Sequence, residues 1–180
     1  MPAGSTGSAG RTIGDSEELP NGFTGERLTH IYVDADACPV KQETYRVAER
    51  YGLQVTLVTN SWLRAPDVPW LKVEIVGDAF DAADDWIAEH VQQDDVVITS
   101  DIPLAGRCLQ AGARVIGPTG KPFTEDNIGA ALATRELLAE LRVMGEVAGG
   151  PPPMGKKDRS NYLQQLDQVI QAILRSTTGK

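Results

Sequence analysis

Cysteine is nearly absent: Cys38 and Cys108 are the only two in 180 residues, and they lack CxxC spacing. Two thiols supply neither a disulfide framework nor a Cys-rich zinc site, and the default reading is a reducing cytoplasm. Apolar runs are short. None approaches the roughly 20 residues that cross a bilayer, and the first residues are Gly/Ser-rich without an apolar block, so neither a membrane span nor a secretory signal is expected. Basic charge is also scarce, with 17 Lys and Arg against 25 Asp and Glu for a net charge of −8. The deficit lies in the middle: residues 29–149 carry 10 basic and 19 acidic groups, whereas residues 150–180 carry 5 and 2. Proteins that bind nucleic acid over a broad basic surface rely on phosphate neutralisation by Lys and Arg. That class is excluded, and any polyanion must be held locally or through a metal.

What is present is an alternation of strand and helix patterns. Residues 1–28 are rich in Gly, Ser and Thr, cannot offset their ordering entropy, and read as a disordered tail. LTHIYVDADACP supplies a first strand, and Pro39 suits the first turn of a helix that places Val40, Thr44 or Tyr45, Val47 and Tyr51 on one stripe and stops at Gly52. QVTLVT, LKVEIV, DDVVITS and ARVIG read as further strands, with helices predicted in DAFDAADDWIAEHV, IPLAGRCLQAG and TEDNIGAALATRELLAELRVMG, the last as two short helices capped by Thr124. Short strands alternating with longer helices imply parallel pairing, giving an α/β fold with a central parallel sheet of about five strands flanked by helices. This unit spans 29–149. Residues 150–180 read as a linker and a docked C-terminal helix whose stripe is Leu163, Leu166, Ile170 and Ile173.

In a parallel α/β sheet, ligands bind beyond the carboxyl ends of the strands. Asp34 and Asp36 end strand one, Asn60 ends strand two and Asp101 ends strand four. On the helix after strand three, Phe80, Ile87 and Val91 share a stripe that also contains Asp84, with Asp81 one turn earlier and Asp85 further round. Carboxylates that converge repel one another and raise their pKa values unless a cation neutralises them. An all-oxygen set favours Mg²⁺ or Mn²⁺ over zinc. His30, four residues before Asp34, lies at the opposite end of its strand, and His90 is toward the far end of its helix, so neither is expected to be a ligand.

The strings IYVDADACPVK, FDAADDWI and VITSDIPLAGRCLQAGARVI, with Asn60 between the first two and TRELLAELR and GGPPP following, resemble the uncharacterised YaiI/YqxD family of bacterial proteins. The fourth-strand string is also similar to the PIN-domain pattern, which implies a PIN-like three-layer sandwich. Active PIN domains are metal-dependent nucleases that use a strand-one Asp, a helical acid and the Asp after a later strand; Asp34, Asp84 and Asp101 match these positions. Asp36 departs from the pattern by making an Asp-x-Asp.

The resemblance implies hydrolysis of a nucleic-acid phosphodiester, RNA before DNA, with Mg²⁺ or Mn²⁺ held by Asp34, Asp84 and Asp101 and with Asp81 nearby. Asp36 or Asp81 could orient the water. Asn60, Ser61, Thr99 and Ser100 are candidate donors to phosphate, and Arg64 and Lys41 could add charge near the rim. Lys156, Lys157 and Arg159 could contact a backbone. Two alternatives stand beside this reading. A hydrophobic strand ending in Asp-x-Asp also resembles a haloacid-dehalogenase-type phosphatase, with Asp34 as nucleophile and Asp36 as general acid/base; its later paired acidic motif is unmatched, since Asp101 has no acid four residues on. The other is a non-catalytic, metal-stabilised module binding a nucleotide or a protein. Cys38 reads as a small packed residue, because carboxylates raise a thiol pKa and no histidine is placed to help.

Overall fold

Five strands and four helices follow one another in the order the hydrophobic periods predict, and a sixth strand and a terminal helix complete the molecule. The computed structural model describes residues 28–36, 38–147, 149–150 and 152–179; the tail expected over residues 1–28 therefore lies, but for Leu28, outside the described residues. The elements are β1 (His30–Asp34), α1 (Lys41–Tyr51), β2 (Gln54–Thr59), β3 (Leu71–Ile75), α2 (Ala82–His90), β4 (Val96–Ile98), α3 (Ile102–Gln110), β5 (Arg114–Ile116), β6 (Pro122–Phe123), α4 (Glu125–Val143) and α5 (Lys156–Thr178).

The sheet order is β3-β2-β1-β4-β5-β6. Neighbours pair in parallel from β3 through β5, and β6 alone runs antiparallel, against β5. Alternation along each strand sends side chains to two cores. Ile31, Val33, Val55, Leu57, Val96, Ile98 and Ile116 face α1 and α5, where Tyr45, Val47, Tyr162, Leu166, Ile170 and Ile173 meet them. Tyr32, Val58, Val97 and Val115 face α2 and α3 on the other side, against Ala83, Ile87, Leu104, Ala105 and Cys108. The result is three layers, with helices covering both faces of the sheet.

Several boundaries differ from the sequence expectation for local reasons. Helix α1 begins at Lys41, since Pro39 and Val40 form a turn before it; it ends as expected at Gly52, whose φ of 64° is the left-handed conformation glycine adopts without penalty. Asp81 has φ 63°. That left-handed residue starts α2 at Ala82 and leaves Phe80 off the helix and 93% exposed instead of in the core. The segment after Thr124 is one helix of 19 residues rather than two, opened by the Thr124–Asn127 capping box. Strand β6 was not anticipated: at two residues, one of them proline, it carries no period to read. The turn between β5 and β6 presses on α5, and a Cβ on Gly120 (φ 88°) would stand 2.8 Å from the Asn161 backbone.

Candidate active site at the carboxyl ends of β1 and β4

The first strand leaves the sheet into α1 on one face, and β4 leaves into α3 on the other. The crevice between two adjacent parallel strands whose connections diverge in this way is where α/β sheets bind ligands. Asp34 ends β1 with the parity of Tyr32, so its side chain is directed to the α2/α3 face. Thr99, just past β4, has the same parity as Val97 and donates its hydroxyl proton to Asp34 Oδ2 at 3.0 Å. The same hydroxyl oxygen accepts from the backbone N–H of Asp101 at 3.0 Å, so one threonine ties two of the predicted carboxylates together. Asp101 is the N-cap of α3: its Oδ1 accepts from Leu104 N at 2.8 Å, and Pro103 occupies the first turn.

Asp84 joins them from α2. Burial first, then the negative charges of Asp101, Asp34 and Asp81 push its carboxyl up to about 6, with Arg107 pulling the other way. Asp34 is likewise raised, chiefly by burial and then by Asp36 and Asp101, against the Thr99 hydrogen bond and the charge of Lys41. Asp34, Asp84 and Asp101 therefore feel one another's charge at a common rim, and Asp81 adds to it from the exposed start of α2.

Other predicted residues have different tasks. Both Asp36 oxygens are engaged, Oδ1 by the Thr59 hydroxyl at 2.5 Å and Oδ2 by Asn60 N at 2.8 Å, so this side chain pins the end of β2 to the chain leaving β1. Ser61 donates its backbone N–H to the same Thr59 hydroxyl. Thr99 is 1% exposed and its proton goes to Asp34, which gives it a positioning role in place of the expected phosphate contact. Lys41 donates to Cys38 O at 2.7 Å from the start of α1. Asn60, Ser61 and Ser100 are exposed just past the ends of β2 and β4, and Arg64 is exposed in the loop between β2 and β3. Arg159 lies within α5, donating to Pro39 O and pairing with Glu43 at 3.1 Å, so it holds α5 to the start of α1.

Two partners were not foreseen. Thr59 organises Asp36, and Arg107 pairs with Asp85 at 2.7 Å while facing Asp84. Both pairs depend on which strands and helices become neighbours, and no spacing along the chain signals that. The histidines lie away from the rim, as expected: His30 bonds Thr56 at 2.8 Å, and His90 stacks on Trp86 with ring centroids 3.7 Å apart. Cys38 is buried, and burial more than its neighbours' charge pushes its thiol up to about 11. Asp95, wholly buried, belongs to the opposite end of the sheet, where it accepts from the backbone N–H groups of His30 and Gln92. A separate concavity of about 400 Å³ between the β5–β6 turn and α5 is lined by Thr119, Lys121, Asn161 and three glutamines. No carboxylate, histidine or cysteine lines it, so the candidate chemistry stays with the carboxylates of the rim.

The carboxylate set suits a hard divalent ion in kind, being all oxygen and uncompensated enough to hold Asp84 near 6. Among the described residues, however, no three His, Cys, Asp or Glu side chains are arranged to hold an ion together. Such an ion would take one or two carboxylates directly and keep waters at its other positions, the habit of Mg²⁺.

The profile of the uncharacterised YaiI/YqxD family matches residues 32–172. The chain belongs to that family. Its relatives include the UPF0178 protein of Rhodopseudomonas palustris strain TIE-1, 54% identical over 83% of this chain and 95% of that protein. A UPF0178 protein of Nitrobacter winogradskyi is 53% identical over 83% and 96% of the two chains, and one from Sphingopyxis alaskensis is 56% identical over 81% and 95%. No solved structure matches the chain. The match to the YaiI/YqxD profile begins within β1 and ends within α5, so it includes every carboxylate of the rim. Among the described residues no helix is long and apolar enough to cross a membrane.

Proposed function

We propose that this member of the YaiI/YqxD family is a divalent-metal-dependent nuclease that hydrolyses phosphodiester bonds, in RNA before DNA. What supports the reading is the Thr99 hydroxyl, which binds Asp34 and the backbone N–H of Asp101 at 3.0 Å each, together with Asp84, whose carboxyl is raised to about 6 by burial and then by the charges of Asp101 and Asp34. The chain's likeness to the PIN-domain pattern at the same three positions adds support by analogy.

Asp34 Oδ1 and Asp101 Oδ2, whose sister oxygens are committed to Thr99 and Leu104, are the atoms that would hold Mg²⁺ or Mn²⁺. When bound, such an ion activates water and neutralises charge on phosphate oxygens. Thr99 fixes the rotamer of Asp34 and the entry to α3 together, so both carboxylates are set before substrate arrives. Asp84, with an affinity for protons close to neutrality, is suited to pass a proton to or from the attacking water. The phosphatase alternative is weakened at Asp36, whose two oxygens already bind Thr59 and Asn60 instead of remaining available for proton transfer.

The test is metal-dependent cleavage of a mixed RNA pool. Activity should appear with Mg²⁺ or Mn²⁺, vanish with chelator, and fall at least 100-fold in Asp101→Asn, a change that keeps a competent helix cap. Cys38→Ser should leave it unchanged. Release of phosphate from small esters with intact RNA would replace the nuclease by a phosphatase.

A further inference from the structure

The six-stranded sheet ends differently at its two edges. At one, β6 is two residues long and begins with Pro122, and both features keep an edge from pairing further. At the other, β3 is a five-residue strand without proline, in unbroken register with β2, and no strand of the described residues lies beyond it. The ladder shows which of its backbone groups are open. Val55 N donates to Trp70 O at 2.8 Å and Val76 N to Thr59 O at 2.9 Å, so the even-numbered residues here spend their backbone groups on β2. By alternation, Leu71, Val73 and Ile75 turn theirs outward. The Leu71 N–H goes to Val68 O, whereas among the described residues no hydrogen bond reaches the outward groups of Val73 and Ile75.

The side chains say what would fit this edge. Leu71 and Val73 lie half-buried at the margin of the α1/α5 core, and Ile75, of the same parity, is 55% exposed. Lys72 and Glu74 take the other face and pair at 2.8 Å. Inverted about Val73, the string LKVEI is its own complement: leucine meets isoleucine, valine meets valine, and each lysine meets a glutamate. A lone lysine on an edge strand deters pairing, but a lysine with a glutamate two residues on matches an inverted copy of itself. Backbone and side chains select the same register. Pairing about Val73 makes the outward residues the hydrogen-bonded pairs, and it sets Lys72 and Glu74 at the intervening positions, where opposed side chains come closest. A one-residue slip opposes Lys72 to Ile75 and pairs outward backbone groups with spent ones.

We propose that the β3 edge binds a second copy of this chain, forming a two-fold homodimer in which the β3 strands pair antiparallel about Val73 and the two sheets become one. The Val73 N–H of each copy donates to the Val73 carbonyl of the other, each Ile75 N–H donates to the other Leu71 carbonyl, and Lys72 of each copy faces Glu74 of the other. The contact surface is the same on both copies, as a two-fold axis requires. Because the joined strands run in opposite directions, the two carboxylate rims open at opposite ends of the shared sheet. The dimer is independent of the nuclease reading and stands or falls without it.

The test is sedimentation velocity of the full chain from low to high micromolar concentration, for the wild type, Lys72→Glu, Glu74→Lys and an equimolar mixture of the two variants. The wild type should pass from monomer to dimer. Each variant alone sets like charges against each other twice per dimer and should associate about tenfold more weakly or worse. Their mixture should recover wild-type affinity, because the acidic strand of one variant then faces the basic strand of the other; that recovery also shows that both variants are folded. Hydrogen exchange at the Val73 and Ile75 amides should slow as the dimer forms. A monomer at every concentration, a dimer indifferent to both substitutions, or a mixture no tighter than its components would overturn the proposal. So would slow exchange at Val73 and Ile75 in the monomer, which would assign the edge to another segment of the same chain.

Discussion

Asp84 shows how a single side chain records its surroundings. Its carboxyl is raised from 3.8 to about 6, so between those values the folded protein binds a proton that the unfolded chain releases. Stability from this group is therefore greatest at low pH and is lost as pH rises toward and through 6. Asp84→Asn keeps the shape and removes the titration. Thermal melts should show the variant and wild type close together near pH 4, with the variant roughly 1–3 °C more stable at pH 7.5, once solvent screening of this half-exposed group is allowed for. A difference that does not change with pH would mean Asp84 is not under the strain of its neighbours. Sequence made Asp84 visible because it falls on a stripe with Ile87 and Val91. It also misplaced Phe80 on that stripe, since the 3.6-residue period was extended backward across Asp81, whose left-handed backbone ends the helix there.

At the scale of elements, α5 completes one of the two cores. Tyr162, Leu166, Ile170 and Ile173 are buried against the sheet and α1, and Tyr162 carries the one polar tie in that stripe. The Thr44 hydroxyl donates to Val40 O at 2.9 Å, which leaves the Tyr162 hydroxyl to donate to Thr44 Oγ1 at 2.7 Å. Tyr162→Phe removes that bond from a buried site and should cost about 1 kcal/mol, lowering Tm by roughly 2–4 °C. An unchanged Tm would show that the bond contributes nothing net. Sequence periodicity made this helix legible, with Leu166, Ile170 and Ile173 on the predicted stripe and Leu163 at its half-buried edge. It was blind to β6, because two residues in an antiparallel return have neither length nor alternation. It was blind also to the Thr59–Asp36 tie, which exists because β2 comes to lie beside β1.

At the scale of the whole molecule, the site is a product of strand order. The chain runs β1, β2, β3 toward one edge and resumes at β4 on the other side of β1. That reversal places Asp34 beside Thr99 and Asp101, and the α2 crossover carries Asp84 over the same crevice. The individual acids were readable as strand-end and helix-stripe residues, and the parallel-sheet rule directed them to one rim; which strands become neighbours, and so the tie of Asp34 to Thr99, is an order that sequence periodicity does not encode. The negative charge of this rim is only partly offset by Lys41 and Arg107, and a divalent ion would supply the balance. Calorimetric titration of Mn²⁺ into the wild type and Asp34→Asn tests that claim without any knowledge of substrate. Saturable binding by the wild type, at least tenfold weaker in the variant, is the expected result; equal binding by both, or none by either, would contradict a divalent-ion site at this rim.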